Sequence, residues 1–370
     1  MSGMSELARS PALWLGSPGE HGGVVLCSRV RLARNLAGWH FARKLPPARA
    51  RALVERIAEA AARLCPGRLL RIDKLDGPGR QLLVERQLAS RELAAAKRAC
   101  GLWLGDDERT ALMIGEEDHL RLQMFAPGLH LEPLLADALA LDRQLETELE
   151  WAFDTELGYL TACHSNVGTG LRASAMVHLP ALVLAEQINQ IVNSVGKIGL
   201  AVRGLYGEGT EALGNLFQVS NQTTLGETEE EIIDRLVKVI EQVIEHEQNA
   251  RQTLLERRAN MLLDQIGRAY GVLGHARAIA SKEALNLLSV MKLGADLGLF
   301  PESAQLAVDE LFMTTQPAHL QLGEKKEKLS PEERDTLRAD LVRAKVKKIP
   351  EPDIAKVKPA ANGNGKKKDK

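Results

Sequence analysis

The chain has 370 residues, 45% of them hydrophobic and 26% charged, which is typical of a globular protein of two domains. Forty-eight Lys and Arg nearly balance forty-nine Asp and Glu, so the charge gives no reason to expect a nucleic-acid partner. No apolar segment approaches the length of a membrane span, about 20 residues, and the four cysteines form no C-x-x-C pair. We therefore expect a cytoplasmic protein with free thiols, away from membranes and without a zinc-ribbon or thioredoxin-like site.

The first part of the chain shows alternating patterns that predict strands. VVLCSRVRL (24–32) alternates with a period of two, and Arg29 and Arg31 fall on the same face of the predicted strand. TALMI (110–114) and HLRLQMF (119–125) predict two further strands, which flank an acidic turn. The leucines of the second strand are expected to face the core.

The middle of the chain continues this strand-rich pattern. GYLTAC (158–163) and IGLAVRGLYGEG (198–209) each predict a strand that runs into a glycine-bearing loop, and LRASAMVHL (171–179) alternates between them. Pro180 is expected to open a helix that extends to about Val195, since proline fits the first helical position. Hairpin-type strands without regular βαβ units predict an α+β domain.

The last third of the chain has a helical pattern. Thr228 and Glu231 form a capping box, and Ser330, Pro331 and Glu333 mark another helix start. The final residues are rich in lysine, which predicts disorder. We divide the chain into an N-terminal segment over 1–23, a mixed domain over 24–250, a helical domain over 251–350 and a disordered basic tail over 351–370.

Arginines recur on the polar faces of the predicted strands. Arg29 and Arg31 are two residues apart, so their side chains start roughly 6.5–7 Å apart, which suits neighbouring phosphate groups. Arg121, Arg172 and Arg203 occupy similar positions beside acidic or glycine-rich turns. A solvated outer face would give the same pattern, but five such arginines favour one positively charged face that binds an anion, most naturally a nucleotide. No G-x-x-x-x-G-K-[ST] loop and no protein-kinase motif set occurs.

Two turns supply carboxylates that suit a guanidinium group. Glu116, Glu117 and Asp118 follow each other at one turn, and Glu208 and Glu211 lie at another. Carboxylates from two loops can bind a guanidinium group through paired N–H bonds and accept a proton from it. Solvated loop tips and a Mg²⁺ site are open alternatives.

Cys163 ends a predicted strand just before the loop that leads to Arg172. It is either a small buried hydrophobic residue or a thiolate that nearby arginines favour. Such a thiolate can face a cationic substrate without acting as a covalent nucleophile. The sequence shows no histidine–aspartate arrangement for acyl transfer.

Five segments together carry a family resemblance: CSRVRLARN (27–35), EEDHLRLQ (116–123), GYLTACHSNVGTGLRAS (158–174), VRGLYGEGTEALGNLFQVSNQTTLG (202–226) and RDTLRA (334–339). In this order they resemble the ATP:guanidino phosphotransferases, and among these the bacterial protein-arginine kinases. The resemblance implies a twisted antiparallel sheet flanked by helices over 24–250, followed by a helical C-terminal domain. It also implies ATP and Mg²⁺ as cofactors.

The resemblance assigns roles to residues by their position. Glu117 matches the catalytic base, Glu211 the second carboxylate that binds the guanidinium group, and Cys163 the cysteine of the active site. No side chain is assigned as a metal ligand. The implied ATP-binding residues are Ser28, Arg29, Val30, Arg31, Gln87, Arg121, Arg172, Ala173, Ser174, Ala175, Met176, Arg203, Gly204, Leu205, Tyr206, Gly207 and Glu208.

Two features favour an arginine in a protein, rather than free arginine, as the acceptor. The strand pattern starts near residue 24, so the large N-terminal helical domain of small-guanidine kinases is not expected. RDTLRA resembles the phosphoarginine-recognition motif of protein-arginine kinases, which implies an allosteric site formed by Arg334, Asp335, Arg338 and Ala339. Arg334 and Arg338 are four residues apart, on one helix face. The resemblance further implies a homodimer, a zinc-binding activator protein, a Clp-type protease and a role in quality control or stress regulation.

Two alternatives are open. One is a kinase for free arginine or another small guanidine, and the other is a phosphoarginine-binding adaptor with weak catalysis. The adaptor is suggested by three departures from the family pattern. Gly115 stands where asparagine is usual, Gln87 where histidine is usual, and His164 where proline is usual.

Overall fold

The chain folds around one antiparallel sheet. The computed structural model describes residues 2–12, 15, 19–204, 212–324, 326 and 328–356. The strands are β1 (Val25–Arg34), β2 (Gly67–Arg71), β3 (Gly101–Gly105), β4 (Thr110–Ile114), β5 (Leu120–Pro127), β6 (Phe153–Asp154), β7 (Gly158–Tyr159), β8 (Leu171–His178), β9 (Leu200–Gly204) and β10 (Leu216–Asn221). Within the described residues, eight of them form a sheet in the order β2-β3-β4-β5-β1-β8-β10-β9, and β6 pairs separately with β7.

Helices flank this sheet, and several of them pack against one of its faces. They are α1 (Ser2–Arg9), α2 (Pro47–Leu64), α3 (Gly77–Glu85), α4 (Arg91–Ala94), α5 (Leu131–Glu146), α6 (Pro180–Leu184), α7 (Ile188–Lys197), α8 (Glu229–His275), α9 (Ser281–Asp296), α10 (Ser303–Thr314), α11 (Pro317–Gly323) and α12 (Pro331–Val346). α2 packs against β2 to β4, α5 against β1 and β5, and α8 against β8 and β10. The predicted antiparallel sheet flanked by helices, followed by a helical C-terminal region, is confirmed.

Alternation along β1 explains how the two faces of the sheet differ. β1 is paired on both sides, with β5 and β8. Val30 and Leu32 are fully buried in the core. Arg29 and Arg31 alternate with them and point to the opposite face, as the sequence predicts. A central strand therefore presents two arginines on the face that is not packed against α5 and α8.

Two helices of the C-terminal part begin where their capping signals predict. At the start of α8 the Thr228 hydroxyl accepts a hydrogen bond from the Glu231 N–H at 3.2 Å, and the Glu231 carboxylate accepts one from the Thr228 N–H at 2.8 Å. Ser330 caps α12 in the same way. α8 continues through the predicted domain boundary near residue 250, with a non-helical backbone conformation at Arg258. The division at residue 250 stays a prediction.

One predicted strand is shorter than expected. The strand predicted over 158–163 is reduced to β7, Gly158–Tyr159. Beyond it, backbone groups bond to side chains instead of to a neighbouring strand. Asn35 Nδ2 donates to the Leu160 carbonyl at 3.0 Å, and the Ala162 N–H donates to Asp118 Oδ1 at 2.7 Å.

One predicted helix is divided in two. The helix expected from Pro180 to about Val195 ends at Leu184, and α7 starts at Ile188. Glu186 between them has a φ of 59°, in the left-handed region, which no residue of a right-handed helix adopts. The start at Pro180 is confirmed.

The ends of the chain are described in part. The N-terminal segment contains α1, which the sequence did not predict, and its Leu7 carbonyl accepts a hydrogen bond from the buried Arg86 at 2.8 Å. Of the predicted basic tail, residues 351–356 include a short helical turn at Ile354–Lys356, and residues 357–370 lie outside the described residues. None of the described helices combines the length and apolar character that a membrane span needs.

Candidate active site

The five predicted arginines lie on one face of the sheet. Arg31 on β1 is directly opposite Arg172 on β8, and β5, on the other side of β1, contributes Arg121. One cavity of about 280 Å³ is lined by all five: Arg29, Arg31, Arg121, Arg172 and Arg203. The same cavity is lined by Glu117 and Cys163. The prediction that these arginines share one face is confirmed, while their role in binding ATP stays a prediction.

The arginine cluster holds positive charge that is poorly compensated. Burial, together with repulsion from Arg172 and Arg121, lowers the pKa of Arg29 to about 10. Burial and the neighbouring arginines also lower the pKa of Arg31 well below its usual range. Within the described part of the chain, the buried Nε of Arg31 has no hydrogen-bond partner. An anion bound here would satisfy this donor and stabilise the charged forms of the arginines.

The guanidinium group of Arg29 is held by three neutral side chains. Its Nη2 donates to Gln218 Oε1 at 2.7 Å, and its Nε and Nη1 each lie 3.4 Å from their acceptors, Ser174 Oγ and Gln87 Oε1. None of these residues neutralises the charge. Gln218 was not predicted, although its position as a polar residue within the alternating strand LFQVSN is a signal of the same kind as that of the arginines.

The first two carboxylates of the acidic turn have different environments. Glu116 is buried, forms an ion pair with Arg121 at 2.8 Å and accepts a hydrogen bond from the Ser90 hydroxyl. The Glu117 side chain keeps 29% of its surface exposed, lines the cavity and lies 3.6 Å from Arg121. Glu116 therefore balances the charge of one arginine, whereas Glu117 is the carboxylate available to a ligand.

Asp118 and His119 anchor the acidic turn through hydrogen bonds. Asp118 Oδ1 accepts hydrogen bonds from Asn35 Nδ2 and from the Ala162 N–H, both at 2.7 Å. The His119 N–H donates to Asn35 Oδ1 at 2.9 Å, and its ring Nδ1 accepts from the Leu36 N–H at 2.9 Å. Burial lowers the pKa of His119, so its ring is neutral. Asp118 thereby ties the acidic turn to the loop that contains the predicted active-site cysteine.

Cys163 lines the same cavity as Glu117. Its Sγ is half-buried and 3.1 Å from Ser165 Oγ, and Asn166 lines the same side. Burial, together with repulsion from Arg203 and Arg121, lowers the pKa of Arg172, which lines the cavity as well. A carboxylate, a thiol and an amide therefore face the arginines here, which is a suitable environment for a guanidinium group.

A second, larger cavity adjoins the first. It has a volume of about 600 Å³ and shares Arg29, Arg31 and Arg203 with the smaller cavity. Two further predicted nucleotide-binding residues, Gln87 and Gly204, line it as well. The shared arginines thus lie between a small cavity with carboxylate and thiol groups and a larger one that extends toward the helical part of the chain.

Some predicted nucleotide-binding residues lie elsewhere. Four of them point to the packed face of the sheet and are fully buried: Ser28, Val30, Ala173 and Ala175. The Ser28 hydroxyl donates to the Gly128 carbonyl at 2.8 Å. Ser174 and Met176 lie on the arginine face. Five more predicted residues, one of them the predicted second carboxylate, lie outside the described residues: Leu205, Tyr206, Gly207, Glu208 and Glu211.

The two arginines of RDTLRA have different surroundings. Arg338 is buried, and it donates to the Thr315 carbonyl at 2.9 Å and to the Ile279 carbonyl at 2.8 Å. It also pairs with Asp335. Arg334 is half-buried and lines a separate cavity of about 880 Å³. Ala339 is buried in the core. Their shared role in binding phosphoarginine stays a prediction.

Comparisons with known proteins identify both parts of the chain. The model of the ATP:guanido phosphotransferase C-terminal catalytic domain matches residues 50–250. The model of the protein-arginine kinase McsB C-terminal domain matches residues 259–357. Two solved structures share the fold. The duplicated taurocyamine kinase of Schistosoma mansoni is 24% identical with a TM-score of 0.57, over 69% of this chain and 38% of that one. A lombricine kinase is 24% identical with a TM-score of 0.54, over 66% of this chain and 75% of that one.

More similar sequences cover almost the whole chain. The protein-arginine kinase of Halothermothrix orenii is 44% identical over 90% of this chain and 96% of its own length. The protein-arginine kinase of Symbiobacterium thermophilum is 44% identical over 93% and 99%, and that of Moorella thermoacetica is 45% identical over 89% and 96%. The chain therefore belongs to the ATP:guanido phosphotransferase family, in which it groups with the protein-arginine kinases.

Proposed function

We propose that this enzyme transfers the γ-phosphoryl group of ATP to arginine side chains of proteins. The observation that carries the proposal is one cavity in which Glu117 and Cys163 face five arginines. Groups that bind a polyphosphate and groups that bind a guanidinium ion thus lie within reach of each other. The similarity to protein-arginine kinases over 90% of the chain supports the choice of acceptor.

The proposed reaction exchanges one bond to phosphorus for another. A guanidinium nitrogen of the acceptor attacks the γ-phosphorus, an N–P bond forms, and the bond to the β,γ-bridging oxygen breaks with its electron pair leaving on ADP. The proton lost by the nitrogen passes to Glu117. Arg29, Arg31 and Arg172 stabilise the negative charge on the transferring group. Catalysis is therefore mostly positioning and electrostatic stabilisation.

Glu117 suits the role of base better than its neighbour Glu116. The Glu116 side chain is 4% exposed and its carboxylate lies 2.8 Å from Arg121. The Glu117 carboxylate is farther from Arg121, at 3.6 Å, and it borders the cavity. A base must reach the proton that it removes, and of these two glutamates Glu117 combines access with a position beside the arginines.

We further propose that ATP enters as its Mg²⁺ complex. Among the described residues, no group of three or more His, Cys, Asp or Glu side chains is arranged to hold a metal ion. Mg²⁺ in phosphoryl-transfer sites is commonly held by substrate phosphates and water with one or two carboxylates, so a dedicated set of protein ligands is not needed. The ion would reduce the charge of the phosphates, while the arginines orient them.

The surroundings of Cys163 favour an acceptor presented by a protein. Ala162, His164 and Ser165, next to Cys163, are exposed. An arginine side chain on a flexible protein segment can therefore approach the small cavity from solvent. The alternative acceptor, free arginine or another small guanidine, would bind to the same carboxylate, so the two have to be separated by experiment.

One assay distinguishes these functions. The enzyme is incubated with ATP and Mg²⁺ and with either unfolded casein or free arginine, and acid-labile phosphate on each acceptor is measured. We expect phosphoarginine on casein, with a kcat/KM at least about tenfold above that for free arginine, which corresponds to about 1.4 kcal/mol. Label on free arginine alone would overturn the choice of acceptor. ATP binding without label on either acceptor would favour an adaptor.

We also propose a phosphoarginine-binding site beside Arg334. Lys326 and Lys328 line the same cavity of about 880 Å³, so three cationic side chains border it, of which Lys326 pairs with Glu333. Arg338 would contribute to this site indirectly, because its hydrogen bonds to the backbone carbonyls of Thr315 and Ile279 hold α12 in place. Binding of phosphoarginine to the chain, measured by calorimetry, tests this site.

The remaining proposals concern partners and location. We propose a cytoplasmic homodimer that works with a zinc-binding activator protein and passes phosphorylated proteins to a Clp-type protease. Membership of the protein-arginine kinases supports these proposals. Sedimentation of the purified chain and affinity capture with the separately purified partners test them.

A further inference from the structure

We propose that the helical C-terminal region forms one wall of the subsite for the nucleoside of ATP. The inference rests on the proposed use of ATP by the arginine face. It goes further in that it assigns nucleotide contacts to α9 and α11, which lie beyond the catalytic-domain match at residues 50–250. The affinity for ATP would then depend on residues of the C-terminal region.

The position of the shared arginines determines where the nucleoside must lie. Arg29, Arg31 and Arg203 border both cavities, and Glu117 borders only the smaller one. The γ-phosphate has to be close to Glu117 for transfer, so the phosphate chain lies across the arginines. The nucleoside at its other end then enters the cavity of about 600 Å³, which is large enough for a base and a ribose.

Both regions of the chain line this larger cavity with apolar side chains. Val84 and Leu213 come from the catalytic region, and Leu285 and Pro317 come from α9 and α11. A purine base has apolar faces and polar edges, and pockets for such ligands combine apolar walls with a few polar groups. Ser281, at the start of α9, is half-buried and lines the cavity too.

A buried carboxylate holds α11 in this position. Both oxygens of Glu85, at the end of α3, accept hydrogen bonds from the Ala318 N–H at 3.0 Å, and one oxygen lies 3.0 Å from His319 Nδ1. Glu85 precedes Gln87 by two residues, and Gln87 contacts Arg29. The start of α11 and a phosphate-binding arginine are thus attached to the same short segment of the catalytic region.

Polar contacts hold α9 as well. The Gly214 N–H donates to Asn286 Oδ1 at 3.1 Å, while Ser289 Oγ lies 2.8 Å from both His178 Nε2 and Asn215 Nδ2. These partners come from the end of β8 and from the segment that leads into β10. The two C-terminal helices that line the larger cavity are therefore both attached to the catalytic region by hydrogen bonds.

The replacement Ser281→Trp tests whether α9 forms part of the nucleoside subsite. A tryptophan at this position extends into the larger cavity, whereas Ser281→Ala removes only a hydroxyl. Ser303 is a matched control because it is also the first residue of a C-terminal helix, α10, and is exposed. The dissociation constants of ATP and of inorganic tripolyphosphate, both with Mg²⁺, are measured by calorimetry on the full chain.

We expect Ser281→Trp to raise the Kd of ATP by about tenfold or more, which corresponds to about 1.4 kcal/mol, because the indole ring occupies space that the nucleoside needs. The Kd of tripolyphosphate should stay unchanged, because this ligand needs only the arginines. Ser281→Ala and Ser303→Trp should bind both ligands like the unmodified chain. The proposal is overturned if Ser281→Trp binds ATP normally, or if its affinities for ATP and tripolyphosphate fall equally. Failure of the unmodified enzyme to phosphorylate arginine, with ATP binding intact, would contradict the proposed function but not this wall.

Discussion

Replacing Glu117 by glutamine tests the assignment of the base with little change in shape. The amide keeps the size of the side chain but cannot accept the proton of the attacking nitrogen. A positioned general base contributes about 10²- to 10⁴-fold to the rate, so we expect kcat to fall by about that factor. ATP affinity should be retained, because the proposed ligands of the phosphates are the arginines.

The same substitution should have little effect on folding. The Glu117 carboxylate is 29% exposed and 3.6 Å from Arg121, which keeps its closer partner Glu116 at 2.8 Å. An ion pair of this partly exposed kind contributes at most about 1 kcal/mol. The free energy of unfolding of Glu117→Gln should therefore lie within about 1 kcal/mol of that of the unmodified chain.

Asp118→Asn is the matched control in the adjacent position. Asp118 is 1% exposed and accepts two hydrogen bonds at 2.7 Å, from Asn35 and from Ala162. Hydrogen bonds to a charged group contribute about 1 kcal/mol more than neutral ones, so loss of the charge should lower the free energy of unfolding by about 2 kcal/mol. Glu117→Gln should thus lose turnover and keep its stability, whereas Asp118→Asn should lose stability.

Three measurements on each variant decide the question: single-turnover phosphoryl transfer, ATP binding by calorimetry and unfolding in urea. The assignment is wrong if Glu117→Gln turns over within about threefold of the unmodified enzyme. It is also wrong if the lost activity of Glu117→Gln is matched by lost stability as large as that of Asp118→Asn. In that case the carboxylates of the acidic turn would act only by holding its structure.

Further substitutions test a buried ion pair, a buried histidine and the proposed phosphoarginine site. Arg34→Ala leaves the buried carboxylate of Asp142 without its guanidinium partner and should lower the free energy of unfolding in urea by about 3–5 kcal/mol. Arg63→Ala removes one partner of an exposed ion pair and should lower it by less than about 1 kcal/mol. Burial lowers the pKa of His178 well below its usual range, so this histidine binds more protons in the unfolded state than in the folded state. The free energy of unfolding should therefore fall as the pH falls from about 7.5 to about 5.5, and His178→Asn should reduce this slope. Arg334→Ala should weaken phosphoarginine binding by about tenfold in calorimetry, and unchanged binding would exclude the site.

The arginine face could be predicted from the sequence because alternation in a strand fixes which residues share a face. Arg29 and Arg31 are separated by one buried residue, and this spacing determines their side of the sheet without knowledge of the neighbouring strands. The register between strands is a long-range property. That Arg31 is opposite Arg172, and that Gln218 reaches Arg29 from β10, depends on how distant segments pair.

The two arginines of RDTLRA show where helical spacing stops being informative. A separation of four residues places Arg334 and Arg338 on one face of α12, but it does not indicate what packs against that face. In the folded chain the carbonyls of Thr315 and Ile279 accept from Arg338, and Arg334 borders a cavity. These carbonyls belong to other segments of the chain, at the end of α10 and in the loop before α9. No local pattern around residue 338 could therefore have indicated them.

Gly115 shows why a departure from a family pattern can leave the geometry intact. Its φ of +75° is in the left-handed region, which glycine adopts freely and asparagine adopts more readily than other residues. The Gly115 N–H donates to the His119 carbonyl at 2.9 Å, and its own carbonyl accepts from Arg98 Nε at 3.2 Å. A Cβ at this position would meet only ordinary contacts, the nearest being the Ala99 carbonyl oxygen at 3.5 Å. Glycine and asparagine thus support the same backbone turn, and the position of Glu117 depends on that turn rather than on the side chain before it.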